Sequence, residues 1–261
     1  MTSVFDNLES ARLEARRMVA GARFSDLPID LASMASRLGV IEIRRRDIAQ
    51  AGLLTANASG EYIIYHRSSD VEARVRFTVA HELGHILIAR SCGIGVSESH
   101  RGGHSERVEE DAADDIAAEL LMPAHLVRRS VEIDEASGIL PSWRKVSELA
   151  RRFGVSRAAM SRRFPEVPGL VAILVRANIP GEKDSLDLSY RCASSRSLQS
   201  FAFGRSREIR RLLRELTECS RNRRHIVPVR TKRYTIDLRC DGSIRIDSGY
   251  QYWVIGWAVE D

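Results

Sequence analysis

The chain has 261 residues and no apolar run approaching the ~20 residues that a membrane-spanning helix needs. Its first residues, Met-Thr-Ser-Val-Phe-Asp-Asn-Leu-Glu, lack the basic-then-apolar pattern of a secretory signal. Both absences make a cytoplasmic protein with no membrane partner the expectation. Cysteine is scarce: the four residues at 92, 192, 219 and 240 form neither a Cys-x-x-Cys nor any paired spacing. That fits reduced thiols and leaves no disulfide scaffold. Lysine occurs only at 145, 183 and 232, so 37 of the 40 basic residues are arginine, a bias that reflects genome composition rather than function. The net charge of +5 and a pI near 9.3 permit nucleic-acid contact without implying it. Proline is missing from 71 to 122, which leaves room for long helices.

What is present lies inside that proline-free stretch. The run Arg-Phe-Thr-Val-Ala-His-Glu-Leu-Gly-His-Ile-Leu-Ile contains His81-Glu82-Leu83-Gly84-His85. Phe77, Ala80, Leu83, Gly84 and Leu87 recur at helical spacing, so the segment is expected to be a helix. Positions i and i+4 lie one turn apart on the same face, and His81 and His85 can therefore grip one ion. Glu82, adjacent to the first histidine, can reach a water on that ion and act as general base.

Two histidines need a third protein ligand and an open position. From Ser105 to Met122 apolar residues fall at 108, 112, 116, 120 and at 113, 117, 121, which predicts a second helix ending at Pro123. Seven carboxylates crowd it, at 106, 109, 110, 111, 114, 115 and 119. Glu110 precedes Ala113 and Ala117 along a small-residue edge suited to close helix contact, whereas Glu109 and Asp111 are read as leaving that edge. Asp114 can accept the free ring N–H of a ligating histidine. Spacing alone does not choose among Glu109, Glu110, Asp111 and Asp114.

The pair of motifs, Arg-Phe-Thr-Val-Ala-His-Glu-Leu-Gly-His and then Glu-x-x-Ala-Asp-x-Ile-Ala-Ala-Glu-Leu-Leu-Met-Pro, resembles the ImmA/IrrE metallopeptidases. Their second helix usually reads Glu-x-x-Ala-Asn-x-Phe-Ala-x-x-Leu-Met-Pro, and its first Glu is the third zinc ligand. The resemblance thus implies Glu110 as that ligand, with Asp114 in place of the usual Asn and Ile116 in place of Phe. It extends to Leu27 through Val40 and to the strand around 61–67. It implies a metal set of His81, His85 and Glu110, catalysis by Glu82, Asp114 behind the ligands, and Zn²⁺ as cofactor, with Mn²⁺ as a substitute in vitro. It also implies a protein substrate, a helix-turn-helix transcriptional repressor whose cleavage turns on stress-response or mobile-element genes.

The expected fold class is α+β: a mainly helical zincin-like metallopeptidase domain over 1–140, a helix-turn-helix segment over 141–166, and a C-terminal α/β sheet domain over 167–261. The first should hold an opening helix, a second near 28–38, strands near 40–46 and 61–66, and the two site helices. The stretch Gly93–His104 reads as a polar loop in which His100 and His104 are spare ligands, and Cys92 reads as a small buried hydrophobe. In the second, helices hinge at Gly154-Val155-Ser156 over Leu149, Phe153, Val155 and Met160, with Ser156 as N-cap. Arg157, Arg162 and Arg163 make DNA reading the lesser alternative to a scaffold or substrate platform. In the third, strands are expected at 170–176, 186–192, 234–239, 243–246 and 253–259, with a hairpin at Asp241-Gly242 and a basic helix over 206–218. Strand order and Ser194-Ser195 there resemble a GAF-like domain. The cluster Arg221, Arg223, Arg224, His225, Arg230, Lys232, Arg233 suits an acidic partner or nucleic acid, and a solvated loop face equally.

The strand 61–67 is expected to offer its edge to an extended substrate, with Tyr62, Tyr65 or His66 stabilising the oxyanion. The competing class is a DNA-binding transcription regulator with a structural or sensory zinc site. Structural zinc favours four ligands, commonly cysteines, and has no use for a general base beside a ligand. Glu82 and the missing cysteines therefore favour the peptidase.

Overall fold

The structure is a computed structural model that describes residues 4–94, 104–136, 143–163 and 166, and the strands at 172–178, 187–193, 225–230, 235–246 and 250–257. The chain divides into two compact units: residues 1–126 with 151–156, and residues 127–150 with 157–261.

The first unit is mainly helical with one small sheet. Helix α1 spans Val4–Val19, and α2 spans Leu31–Arg37. Asp30 starts α2 by accepting the backbone N–H groups of Ala32 and Ser33 at 3.0 and 3.2 Å, which satisfies donors that the first turn leaves orphaned. Strands β1 (Val40–Arg46), β2 (Gly52–Ala56) and β3 (Tyr62–Arg67) follow, then α3 (Glu72–Cys92) and α4 (His104–Leu121). The sheet order is β1-β3-β2, with β1 parallel and β2 antiparallel to β3. β2 is a strand the sequence reading did not contain, because Gly-Leu-Leu-Thr-Ala is too short to show alternation.

That strand changes one expectation. β3 is the central strand, hydrogen-bonded to β1 on one side and β2 on the other, so it has no free edge to give a substrate. The edge belongs to β2, paired on one side only among the described residues.

The inner face of the sheet, with Ile64 fully buried, packs on α3. From Thr78 to Ala89 almost every residue of α3 is buried, which explains why it is apolar nearly all round rather than along one stripe. α1 and α4 cover its other sides. The approach of α4 is set by one pair of small residues. A Cβ on Gly84 would stand 3.0 Å from the carbonyl oxygen and 3.1 Å from the Cα of Ala113. Both neighbours are backbone and cannot turn aside. α3 stops at Gly93, whose φ of +66° a side chain would oppose.

Helices α5 (Ala124–Ala136), α6 (Trp143–Phe153) and α7 (Arg157–Arg163) follow, and α5 was not anticipated. The turn between α6 and α7 runs through Gly154 at φ +67°. Leu149, Phe153, Val155 and Met160 are each buried. Arg157 and Arg162 are exposed, while Arg163 is buried with an ion pair to Glu166 at 3.6 Å.

Five strands are described in the second unit: β4 (Ala172–Asn178), β5 (Asp187–Ala193), β6 (His225–Arg230), β7 (Thr235–Ile246) and β8 (Tyr250–Trp257). They form one antiparallel sheet in the order β5-β4-β8-β7-β6. Asp241-Gly242 is not a hairpin: β7 runs through it, with one extra residue between Cys240 and Ser243 relative to β8, a bulge. His225 and Arg230, two members of the basic cluster, bound a strand whose Pro228 is tolerated at the sheet edge. The expected helix at 206–218, Ser194-Ser195 and His100 lie outside the described residues, and His104 opens α4.

If the Gly84–Ala113 contact sets the helix spacing, Gly84→Ala should destabilise the protein by about 1–3 kcal/mol, the usual penalty for overpacking a tight contact. A urea unfolding midpoint equal to that of the wild type would show that the helices can part freely.

Candidate metal centre

α3 and α4 bring three donors to one point. His81 Nε2 and His85 Nε2 are 3.0 Å apart, as two residues separated by one helical turn can be. Glu110 closes the triangle, its Oε2 at 3.2 Å from His81 Nε2 and its Oε1 at 3.3 Å from His85 Nε2. These residues form a group able to hold a metal ion.

The far nitrogen of each ring is also engaged. His81 Nδ1 lies 2.8 Å from Asp114 Oδ1, and His85 Nδ1 lies 3.3 Å from Glu109 Oε1. A carboxylate accepts, so each Nδ1 carries the proton and donates it. The tautomer that follows leaves a bare lone pair on each Nε2. Two lone pairs and a carboxylate then face one another at 3.0 to 3.3 Å, which is repulsive unless a cation stands among them. An ion held tetrahedrally at ~2.0–2.1 Å from each donor needs donors about 3.3–3.4 Å apart, so spacing and chemistry both fit a small divalent ion.

The positions considered from the sequence sort out clearly. His81, His85 and Glu110 converge, and Asp114 meets His81. Glu109 does not leave the small-residue edge: its side chain is only 14% exposed and faces His85. Glu109 stands one turn before Ala113, the residue in contact with Gly84. Asp111 is exposed. Cys92 is half-buried rather than buried, and burial pushes its thiol pKa up, so it stays a protonated thiol outside the donor group.

Burial of His81, the largest single influence, works against its charged form, while the hydrogen bond it donates to Asp114 favours it. With the added charges of Asp114, Glu82 and Glu110, the pKa lies above the ordinary histidine value. The centre therefore attracts cations, and a proton competes with a metal for it.

Beside the donors opens a cavity of about 780 Å³. Glu82, which is 7% exposed, and Thr78 form part of its wall, and the segment Gln50–Ala56, including all of β2, lines the opposite side. Arg74, stacked over Phe77 at 5.8 Å, lines it too, and Phe77 lies 6.1 Å from the His81 ring. Tyr62, Tyr65 and His66 do not line it, because β3 is set back behind β2. The oxyanion role considered for them therefore has no geometric basis.

Comparison with known proteins places this centre. The family model described as the IrrE N-terminal-like domain, a peptidase family, matches residues 34–164, half of the chain. The radiation response metalloprotease IrrE of Deinococcus radiodurans is 30% identical over 131 residues, covering 48% of this chain and 38% of that protein. The protein of the same name from Deinococcus deserti is 33% identical over 128 residues, covering 46% of this chain and 44% of its own. The matched part thus spans less than half the length of either relative. Among solved structures, a Mycobacterium tuberculosis transcriptional regulator superposes with a TM-score of 0.56 over 97% of this chain and 76% of its own. At 16% identity that likeness concerns the fold alone.

The carboxylates behind the rings yield a graded expectation for metal binding measured by calorimetry. His85→Ala should abolish it, while Glu109→Ala and Asp114→Ala should weaken it by roughly 10- to 100-fold, the usual effect of losing a partner that orients a ligand. Full affinity in Glu109→Ala would show that its contact with His85 is idle. Because His81 holds its proton to a higher pH than an ordinary histidine, affinity should begin to fall, as pH is lowered, above the usual value of about 6.5. An onset only below that value would contradict the charge balance described.

Proposed function

This chain belongs to the ImmA/IrrE family of metallopeptidases, and from that premise we propose that it is a zinc-dependent endopeptidase acting in the cytoplasm on a helix-turn-helix transcriptional repressor. Cleavage of the repressor switches on stress-response or mobile-element genes. The observation that carries the reading is Glu82: a buried carboxylate in the cavity wall, next in sequence to one donor histidine and beside the strand edge.

His81, His85 and Glu110 would hold the zinc, with Mn²⁺ as a substitute in vitro. When bound, the ion supplies a Lewis acid that polarises a peptide carbonyl and makes water acidic near neutral pH. Asp114 and Glu109 hold the two rings in register for that ligand set. Glu82 takes a proton from the attacking water at its carboxylate and passes it to the departing amine. The free edge of β2 binds an extended segment of the substrate as an added strand, its backbone N–H and C=O groups fixing the scissile bond along the cavity. No described helix is long and apolar enough to cross a membrane. The C-terminal sheet is a GAF-like regulatory domain on this reading, and the α6–α7 pair is a platform for the substrate rather than a DNA reader.

The test pairs wild type with Glu82→Gln. The amide keeps the shape of the carboxylate but cannot take the proton, so the variant should bind zinc normally. It should cleave the repressor encoded nearest its gene roughly 10²- to 10⁴-fold more slowly. In a reporter strain it should leave the repressed genes silent. A regulator with structural zinc would lose nothing in this variant, so intact control of the reporter by Glu82→Gln would overturn the peptidase reading.

A further inference from the structure

β2 and α3 touch most closely at Gly52. A Cβ built there would overlap Glu82 Oε1, stand 2.5 Å from Thr78 Cγ2 and 3.3 Å from Glu82 Cδ. The backbone of Gly52 is not in the left-handed region, where only glycine is at ease. Glycine is therefore needed here for space and not for conformation. The atom it makes room for belongs to the residue that carries the proton in the proposed reaction.

The walls of this space differ in stiffness. Thr78 is β-branched, 4% exposed and one turn before Glu82 on α3, so its methyl is held by the helix. Its hydroxyl oxygen is buried and has no hydrogen-bond partner. The Gly52 backbone is held in the ladder with His66 of β3. Glu82 ends in a carboxylate on a longer side chain, and this carboxylate and the Thr78 methyl both line the slot over the Gly52 Cα.

We propose that Gly52 is a positioning residue: by lacking a side chain it lets the Glu82 carboxylate lie against the α3-facing side of β2, in the wall of the cavity beside the donor group, with the Thr78 methyl next to it. This rests on the reading of Glu82 as the proton carrier. A methyl added at Gly52 would push aside the end of the Glu82 side chain and press on the Thr78 methyl, the contact that Thr78→Ser relieves. The damage would fall on proton transfer and leave the metal ligands in place.

The experiment uses the full chain loaded with Co²⁺, whose visible absorption is titrated with pH, alongside Co²⁺ stoichiometry. Wild type and Glu82→Gln should titrate differently. Gly52→Ala should bind one Co²⁺ and shift from the wild-type midpoint toward that of Glu82→Gln by about half a pH unit or more, as a displaced neighbouring charge does. Thr78→Ser removes only the methyl that closes the slot, and should shift the midpoint the same way by less. In the double variant Gly52→Ala with Thr78→Ser, the space vacated should bring the midpoint part of the way back toward wild type. Coincident midpoints for wild type and Glu82→Gln would overturn the role of Glu82 itself. Distinct midpoints with a wild-type profile in Gly52→Ala would overturn the positioning role alone. If Gly52→Ala loses Co²⁺ altogether, an unshifted Thr78→Ser does the same.

Discussion

The structure turns on how closely α3 and α4 approach. Gly84 sits between the two donor histidines, and its Cα hydrogens face the backbone of Ala113. Because nothing larger than hydrogen separates the helices there, the short side chains of Glu110 and Asp114 and the half-buried Glu109 all reach the imidazoles from α4. Widening the gap by one methyl would lengthen several contacts at once, since every one of them spans the same pair of helices. The donor group follows from a packing decision made at one glycine and one alanine.

The same closeness concentrates charge. Glu82, Glu109, Glu110 and Asp114 surround two imidazoles, which donate through Nδ1 to Asp114 and Glu109 and turn their Nε2 atoms toward Glu110. Burying like charges without a counter-ion is expensive. The upward pKa of His81 is one sign of that field, which draws a proton when no metal is there to answer it. A divalent ion answers it better, neutralising two charges at the point where the lone pairs meet. Binding and folding are coupled in such a centre, because the unfolded chain has no comparable field.

How much of this could be read from the sequence depends on range. His81, Glu82 and His85 are legible because one helical turn is enough to relate them, and the proline-free apolar flanks announce that turn. The long helices α3 and α4 were legible for the same reason. Glu110 and Asp114 needed the partner helix to be placed, and family resemblance supplied it. Glu109 was set aside because a helical wheel drawn for α4 alone does not show where α3 will lie. β2 was invisible, being five residues with a glycine and no alternation, yet it changes which strand has a free edge. Asp241-Gly242 shows the opposite error, a turn signal that a continuous strand absorbs as a bulge.

Gly154 makes the same point about function. Its spacing from Ala150 reads as a helix-turn-helix, and its φ of +67° fits that turn. A second demand is placed on it from elsewhere: a Cβ there would stand 2.8 Å from Arg76 Nε and 3.1 Å from Pro28 Cβ. Arg76 belongs to α3, five residues before His81, and its Nη2 donates to Ile29 O at 2.9 Å. Burial lowers its pKa against the opposing charges of Glu72 and Asp30. Arg152 adds a cation–π contact over Phe24 at 4.7 Å, and Phe153 is fully buried. Residues 151–156 thus lie in one compact unit with the donor helices. The glycine expected of a DNA-binding turn is accounted for by its docking beside the first turns of the helix that carries His81, Glu82 and His85, with no need of DNA.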